Sequence, residues 1–293
     1  MSKASTCGLF GVSRQVYYRS IRTKQKNQTK AETVVGLVSS VRRDMPRIGF
    51  RKLYYLLYEP LRELNIGRDK FLSILRANHL LVKPKRNYRI TTDSHHRFRK
   101  HKNLIENIPL ERPEQVWVSD ITYIGGRSRN CYLSLVTDAY SKKIMGYDVS
   151  DSLATEGSLR ALNMAVKKRK YKYKDKLIHH SDRGLQYCSN DYQKALEKKM
   201  ITPSMTESYD PYANAIAERV NGILKQEFLL EDYLVDIKTM KLLVGDAVRI
   251  YNTKRPHYSC LMKTPEQMHK QNQMKIRTYK NKESNRDSPI TFS

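Results

Sequence analysis

Trp117-Val118-Ser119-Asp120-Ile121-Thr122-Tyr123 sets an acidic residue in the middle of an otherwise apolar, alternating run. The alternation begins at Val116 and runs to the Gly125-Gly126 turn, which is the period of a β-strand. An ionised carboxylate facing a core is costly, so Asp120 needs a metal ion, a salt bridge or a turn toward solvent. Downstream, Cys131 to Thr137 and Lys143 to Val149 repeat the two-residue period, and short turns make the three strands an antiparallel meander. A helical period follows over Thr155 to Lys168, then a short strand over Lys176 to His180 and a helix near Tyr192 to Lys199. A strand around Ile201 to Ser204, a loop over Glu207 to Tyr212, and two long helices, Ala213 to Phe228 and Thr239 to Tyr251, complete the pattern. Strands that give way to alternating helix and strand predict a mixed α/β sheet.

Two further carboxylates stand out against this frame. Asp182 follows the strand ending at His180 and leads into Arg183-Gly184, at the carboxyl end where sites on open α/β sheets collect. An aspartate beside a glycine also simply caps a turn. Glu218 lies on the helix Ala213 to Phe228, with Asn214, Asn221 and Lys225 along the same face. Ala215, Ile216, Val220, Ile223, Leu224 and Phe228 supply an apolar side, so this polar stripe faces either solvent or a cleft.

Upstream, the chain is more basic. Residues 1–115 hold 25 Lys/Arg against 9 Asp/Glu, within a formal charge of +26 for all 293 residues. Helical periods over Ala31 to Arg43, Arg51 to Tyr58 and Arg68 to Leu81, joined by turns at Ile48-Gly49 and Ile66-Gly67, point to a small helix-turn-helix-like bundle. Lys83 to Lys102 carries eight Lys/Arg and one acid, and reads as an exposed basic linker, either a solvated connector or, as charge of one sign at this density favours, a contact for phosphate. Such charge requires a polyanionic partner or a membrane surface, with nucleic acid the leading candidate. No apolar run is long enough to span a membrane, and Met1 to Gly11 lacks the layout of a secretory signal, so a cytoplasmic protein is expected. Cys7, Cys131, Cys188 and Cys260 form no CxxC pair and read as ordinary thiols.

Asp120, Asp182 and Glu218, with 35 residues between the last two and a lysine seven after the glutamate, resemble the Asp-Asp-Glu core of retroviral integrases and insertion-sequence transposases. Trp-Val-Ser-Asp-Ile-Thr-Tyr (117–123), His-Ser-Asp-Arg-Gly-Leu-Gln-Tyr (180–187), Asn-Ala-Ile-Ala-Glu (214–218) and Tyr-Asn-Thr-Lys-Arg-Pro-His (251–257), then Thr264-Pro265, are similar to the second-frame product of the IS-three insertion-sequence family. The similarity runs from about Ile48, in Arg47-Ile48-Gly49-Phe50-Arg51, to Met268. It departs at Ala213, where the family usually has an acid, and at Tyr209, where it usually has glycine.

The resemblance implies an RNase H-like mixed five-stranded sheet flanked by helices, preceded by the all-α region. It divides the chain into a DNA-binding region at 1–82, a basic linker at 83–112, a catalytic core at 113–268 and a polar basic tail, disordered, at 269–293. It implies that Asp120, Asp182 and Glu218 bind Mg²⁺ or Mn²⁺, two ions per site when DNA is present, Asp120 bridging them. Two such ions about 4 Å apart clamp the attacking and leaving oxygens of a phosphodiester displacement without a protein nucleophile. Freed 3′-hydroxyls then attack a second strand, through a circular intermediate in this family. DNA contacts are expected from Lys225, Asn214, Asn221 and Arg255, and from Lys83, Lys85, Arg86, Arg97, Arg99 and Lys100. Asn252, Arg255 and His257 either touch DNA, brace the glutamate helix or simply stop the helix before them, and His179 and His180 read as packed residues rather than ligands. The expected partners are the element's terminal repeats, target DNA, further copies of the chain, and a first-frame helix-turn-helix product or fusion. A catalytically silent or domesticated DNA-binding regulator, and a nuclease that cuts without joining, are the rival readings; a plain RNA-binding protein leaves the three carboxylates unexplained.

Overall fold

A computed structural model describes residues 3–83, 101–105, 108–126, 131–171, 176–206 and 214–276, in two compact units divided after Pro84. Among these residues no helix is long and apolar enough to cross a membrane.

The first unit is all helical: α1 (Lys3–Leu9), α2 (Arg14–Asp44), α3 (Phe50–Leu56), α4 (Tyr58–Glu63) and α5 (Arg68–Ala77). The helix expected over Ala31 to Arg43 is the packed end of α2, which begins 17 residues earlier where Ser13 Oγ accepts from Val16 N. Apolar periodicity misses that first half because its side chains are almost all exposed, while nothing in it breaks a helix. Val34 and Val38 of α2 share the buried set with Ile48, Leu53, Leu61, Phe71 and Leu75. The single helix expected over Arg51 to Tyr58 divides at Leu57, and Pro60 falls in the first turn of α4, where a missing N–H costs little.

The second unit carries β1 (Val116–Ile124), β2 (Cys131–Asp138), β3 (Ile144–Ser150), α6 (Thr155–Lys168), β4 (Ile178–Ser181), α7 (Leu185–Cys188), α8 (Asn190–Lys198), β5 (Thr202–Met205), α9 (Ala215–Gln226), α10 (Ile237–Thr253) and α11 (Pro265–His269). Its five strands form one sheet in the order β3-β2-β1-β4-β5. β1, β2 and β3 pair antiparallel, and β4 joins β1 and then β5 in parallel. This is the mixed sheet read from the sequence.

β1 is central and buried on both faces, and its parity sorts the residues that matter. Trp117 packs with Met145, Leu162 and Leu196 on the side of α6 and α8, whereas Val116 and Val118 pack with Ala217 of α9. α6 lies so close to β3 that a Cβ on Gly146 would stand 2.0 Å from the Ala161 carbonyl oxygen, so only glycine fits there.

Three devices close the unit. Asn252 at the end of α10 uses its Oδ1 to accept from Ile144 N at 2.9 Å and its Nδ2 to donate to Ile144 O at 3.0 Å, supplying an edge strand with the partner it lacks. Lys102 and Leu104, at the end of the basic segment, bond Met205 N and Ser204 Oγ of β5. His269 lies between the buried carboxylates of Glu114 and Asp138, at 3.5 and 3.8 Å. The tail expected from residue 269 is packed at its start, with Met274 and Ile276 against the Tyr140 cluster and Tyr140 Oη donating to Met274 O; residues 277–293 lie outside the described ones.

Candidate active site

The β1–β4 register ends at Ser119 opposite Ser181. Asp120 and Asp182 are each the next residue along these adjacent parallel strands, so the sheet sets two carboxylates side by side where β4 stops and β1 continues. Parallel neighbours run about 4.8 Å apart, which brings the two side chains within electrostatic reach.

Asp120 has the parity of Val116 and Val118 and therefore faces α9. Its Oδ1 accepts from Ile121 N at 2.9 Å and its Oδ2 from Asn221 Nδ2 at 2.7 Å. The α9 stripe continues on either side: Asn214 Nδ2 donates to Ser119 O at 3.1 Å, and Lys225 Nζ to Thr122 Oγ1 at 3.3 Å. The polar face of α9 thus meets β1 at three levels. Asn214 and Asn221 are buried, and among the described residues the Oδ1 atom of each has no hydrogen-bond partner.

Glu218, in the first turn of α9, is exposed, and its pKa is raised, first by burial of its carboxylate and then by Asp182. Asp120 is pushed up to about 8 by burial, then by Asp182 and, more weakly, Glu218; Ile121 N–H and Asn221 pull the other way. All three carboxylates therefore share one electrostatic neighbourhood short of positive charge. Among the described residues no group of three His, Cys, Asp or Glu is gathered tightly enough to hold a metal ion as it stands. Asp182 also caps its own turn, accepting from Gly184 N at 3.1 Å, so the structural and electrostatic roles coexist.

The other expected site residues divide. Asn214 and Asn221 are committed to β1 rather than presented at the surface, because burial leaves their amides no route to DNA without rearrangement. Arg255 is corrected from a DNA contact to an internal brace: it is 1% exposed and its fork is occupied by Glu227. Lys225 is half-buried. Lys83 is exposed in the first unit, and Lys85, Arg86, Arg97, Arg99 and Lys100, like Tyr209 and Ala213, lie outside the described residues. His179 is packed, as expected, its Nε2 lying 2.8 Å from Ser119 Oγ and 2.9 Å from Tyr192 Oη. Burial, then His180, lowers its pKa to about 3, so the ring is neutral and accepts from a hydroxyl. The Glu227–Arg255 pair gives no signal in the periodicity, because both residues are polar and stand where a helix ends.

A mixed sheet of this order, with one carboxylate midway along its central strand, a second beside it where the parallel neighbour stops and a third on the helix covering them, is the arrangement of an RNase H-like polynucleotidyl transferase core. A family model described as Integrase core domain matches residues 111–211, and a second of the same description matches 199–265. Over 255 residues the chain is 31% identical to the Insertion element IS600 uncharacterized 31 kDa protein of Shigella sonnei, covering 86% of this chain and 92% of that protein. It is 32% identical over 200 residues to Transposase InsF for insertion sequence IS3fB of Escherichia coli (strain K12), covering 68% of this chain and 69% of that one. The HTLV-2 integrase catalytic core domain, solved in complex with magnesium, aligns with 54% of this chain and 97% of its own at 19% identity and a TM-score of 0.43. The chain belongs to the IS-three (IS3) family of insertion-sequence transposases, and its activity is DNA transposition by an integrase-type core.

Proposed function

We propose that Asp120, Asp182 and Glu218 hold two Mg²⁺ or Mn²⁺ ions and that the chain cleaves DNA at the ends of its element and joins those ends to a target. The observation that carries this reading is the placement of Asp120 and Asp182 as the next residues beyond the paired Ser119 and Ser181, under the helix that bears Glu218; the burial and acidic neighbours that push Asp120 up to about 8 are a penalty that a bound cation would reverse. The donor chemistry fits. Carboxylate oxygens suit hard cations, and a sparse set suits ions that keep waters and borrow phosphate oxygens from the substrate. When bound, the ions supply Lewis-acid activation of the attacking oxygen and neutralise charge on the leaving one.

The residues of the chain supply order. Asn221 fixes the Asp120 carboxylate through Oδ2, so its rotamer is set before substrate arrives. Asn214 ties the start of α9 to Ser119, keeping the helix that bears Glu218 against β1. Glu218, in the first turn of α9, would complete the set. Lys225 offers a point charge for the phosphate beside the reacting end. His179, neutral and held by two hydroxyls, takes no part in proton transfer. No side chain acts as a nucleophile; water and then a DNA 3′-hydroxyl do.

In the same reading, residues 1–82 bind DNA, the basic linker 83–112 tracks phosphate through Lys83, Lys85, Arg86, Arg97, Arg99 and Lys100, residues 113–268 catalyse and 269–293 form the tail. The chain works as a homo-multimer at the nucleoid, because one subunit cannot hold two element ends in one geometry, and a first-frame helix-turn-helix product contributes to end recognition. The test is Mg²⁺- or Mn²⁺-dependent cleavage and joining of the element's terminal DNA. The chain joins strands, whereas Asp120→Asn, Asp182→Asn and Glu218→Gln bind DNA and do not; equal activity in all four disproves the site. Cutting without joining favours the nuclease reading.

A further inference from the structure

A buried arginine persists only where its charge is paired and its donors are used. Arg255 meets both conditions. Its Nε and Nη2 donate to Glu227 Oε2 and Oε1 at 2.8 and 2.7 Å, and its Nη1 lies 2.8 Å from His257 Nε2, which must then be the accepting nitrogen. The guanidinium carbon sits 5.7 Å from the centre of the Tyr251 ring, against which His257 packs edge-on. Glu227 is the C-terminal cap residue of α9, where a cation also complements the helix dipole.

The segment bearing Arg255 is itself fixed to the sheet. Tyr251 Oη donates to Lys142 O, and Asn252 bonds both backbone groups of Ile144 on β3. A closed circuit results: β1 to β2 to β3, through Asn252 and Tyr251 to Arg255, across to Glu227, and back along α9 to Asn221 and Asp120. The contacts of α9 with Ser119, Asp120 and Thr122 depend on its position along its own axis, and a slip of one residue moves each by about 1.5 Å.

We infer that Arg255 is a positioning residue for strand cleavage and transfer: by clamping Glu227 it sets where α9 stands along β1, and so where Glu218 stands relative to Asp120 and Asp182. The inference rests on the assignment of those three carboxylates as the catalytic set. Arg255 touches none of them and acts only through the helix.

The test uses the full chain with Arg255→Lys, which keeps the charge and loses the fork, and with the double substitution Arg255→Met and Glu227→Met, which leaves no unpaired buried charge. Each is expected to slow cleavage about 10- to 100-fold, the scale of a displacement near 1 Å, and to raise the half-saturating Mn²⁺ concentration, with DNA affinity within about twofold. Amide exchange in α9 is expected to quicken about tenfold while α6 is unchanged. A double variant that melts cooperatively and keeps the original rate, Mn²⁺ dependence and α9 protection overturns the inference and leaves Arg255 a packing residue. Glu218→Gln, measured beside them, abolishes cleavage without loosening α9; an active Glu218→Gln overturns the catalytic assignment itself, whatever Arg255 does.

Discussion

Asn221 donates to Asp120 Oδ2 across 2.7 Å, so a carboxamide on α9 holds the central carboxylate of β1. The pair spans 101 residues of sequence and links the helix bearing Glu218 to the strand bearing Asp120. Removing the donor frees the Asp120 rotamer and withdraws one of the two groups that favour its ionised form. Asn221→Ala is therefore expected to lower cleavage about 10- to 100-fold, the usual cost of losing a partner that orients a metal ligand. Rates measured against Mg²⁺ concentration check it. A rate unchanged at every concentration shows that Asp120 needs no such support.

The pKa of Asp120, about 8 without a cation, makes a second prediction with a definite sign. A carboxyl whose folded value is raised above its unfolded one makes the fold progressively less stable as pH rises from the unfolded value toward the folded one. In metal-free protein, Asp120→Asn relieves this cost. The substitution is expected to raise the melting temperature by a few degrees at pH 8, and by much less near pH 4. With Mn²⁺ present the advantage shrinks or reverses, because the cation stabilises the native carboxylate. Calorimetry at the two pH values, with and without Mn²⁺, decides it; a gain that does not depend on pH removes the link to ionisation.

The alternation around Asp120 and the end of the strand before Asp182 locate both carboxylates from sequence, because strand parity and strand ends are local properties. The same holds for α6, whose observed limits coincide with its apolar period. What stayed hidden depends on partners far away in the chain. For Asn214, Asn221 and Arg255 the sequence leaves a DNA contact and an internal contact undivided, because polar residues on a helix face or after a helix look alike whether they meet solvent or a buried acceptor. Only the fold shows that Asn221 meets Asp120 and Arg255 meets Glu227. The first half of α2 is illegible for the opposite reason, since an exposed helix has no apolar stripe to announce it.

His269 supplies a third prediction, away from the site. It lies between Glu114 and Asp138, both essentially unexposed, and Ser141 Oγ stands 3.0 Å from its Nδ1. Burial alone lowers its pKa, but the carboxylates of Asp138 and Glu114 beside it outweigh that and raise it. A raised histidine contributes stability that is fully present below its unfolded value, about 6.5, and is lost as pH rises through the folded value. Asp138, lowered despite burial by His269 beside it and by hydrogen bonds from Ser141, contributes above its unfolded value of about 3.9 and loses it in acid. His269→Ala leaves two buried carboxylates without the cation between them and is expected to cost about 3 kcal/mol at pH 6. Urea denaturation at pH 6 and pH 9 checks both parts: the difference between the proteins is larger at pH 6. An equal difference at both values means that His269 acts as a neutral filler.

Asn252 carries the last prediction, one that separates packing from pairing. β3 is an edge strand, and both backbone groups of Ile144 are satisfied by this single carboxamide. Asn252→Leu keeps the branched shape of the side chain yet leaves a buried N–H and a buried C=O unpaired, so a loss of about 2 to 6 kcal/mol is expected, at about 1 to 3 for each unsatisfied group. Asn252→Asp keeps the acceptor for Ile144 N but has no donor for Ile144 O, and it brings a carboxylate to a buried position. Its loss is expected to be smaller below about pH 4, where the protonated acid regains a donor, and to grow as pH rises. Unfolding free energies of the two variants across that range decide the matter. If Asn252→Leu is as stable as the original chain, the edge of β3 finds other partners and the carboxamide is dispensable; if Asn252→Asp loses as much in acid as at neutral pH, volume rather than hydrogen bonding sets the cost.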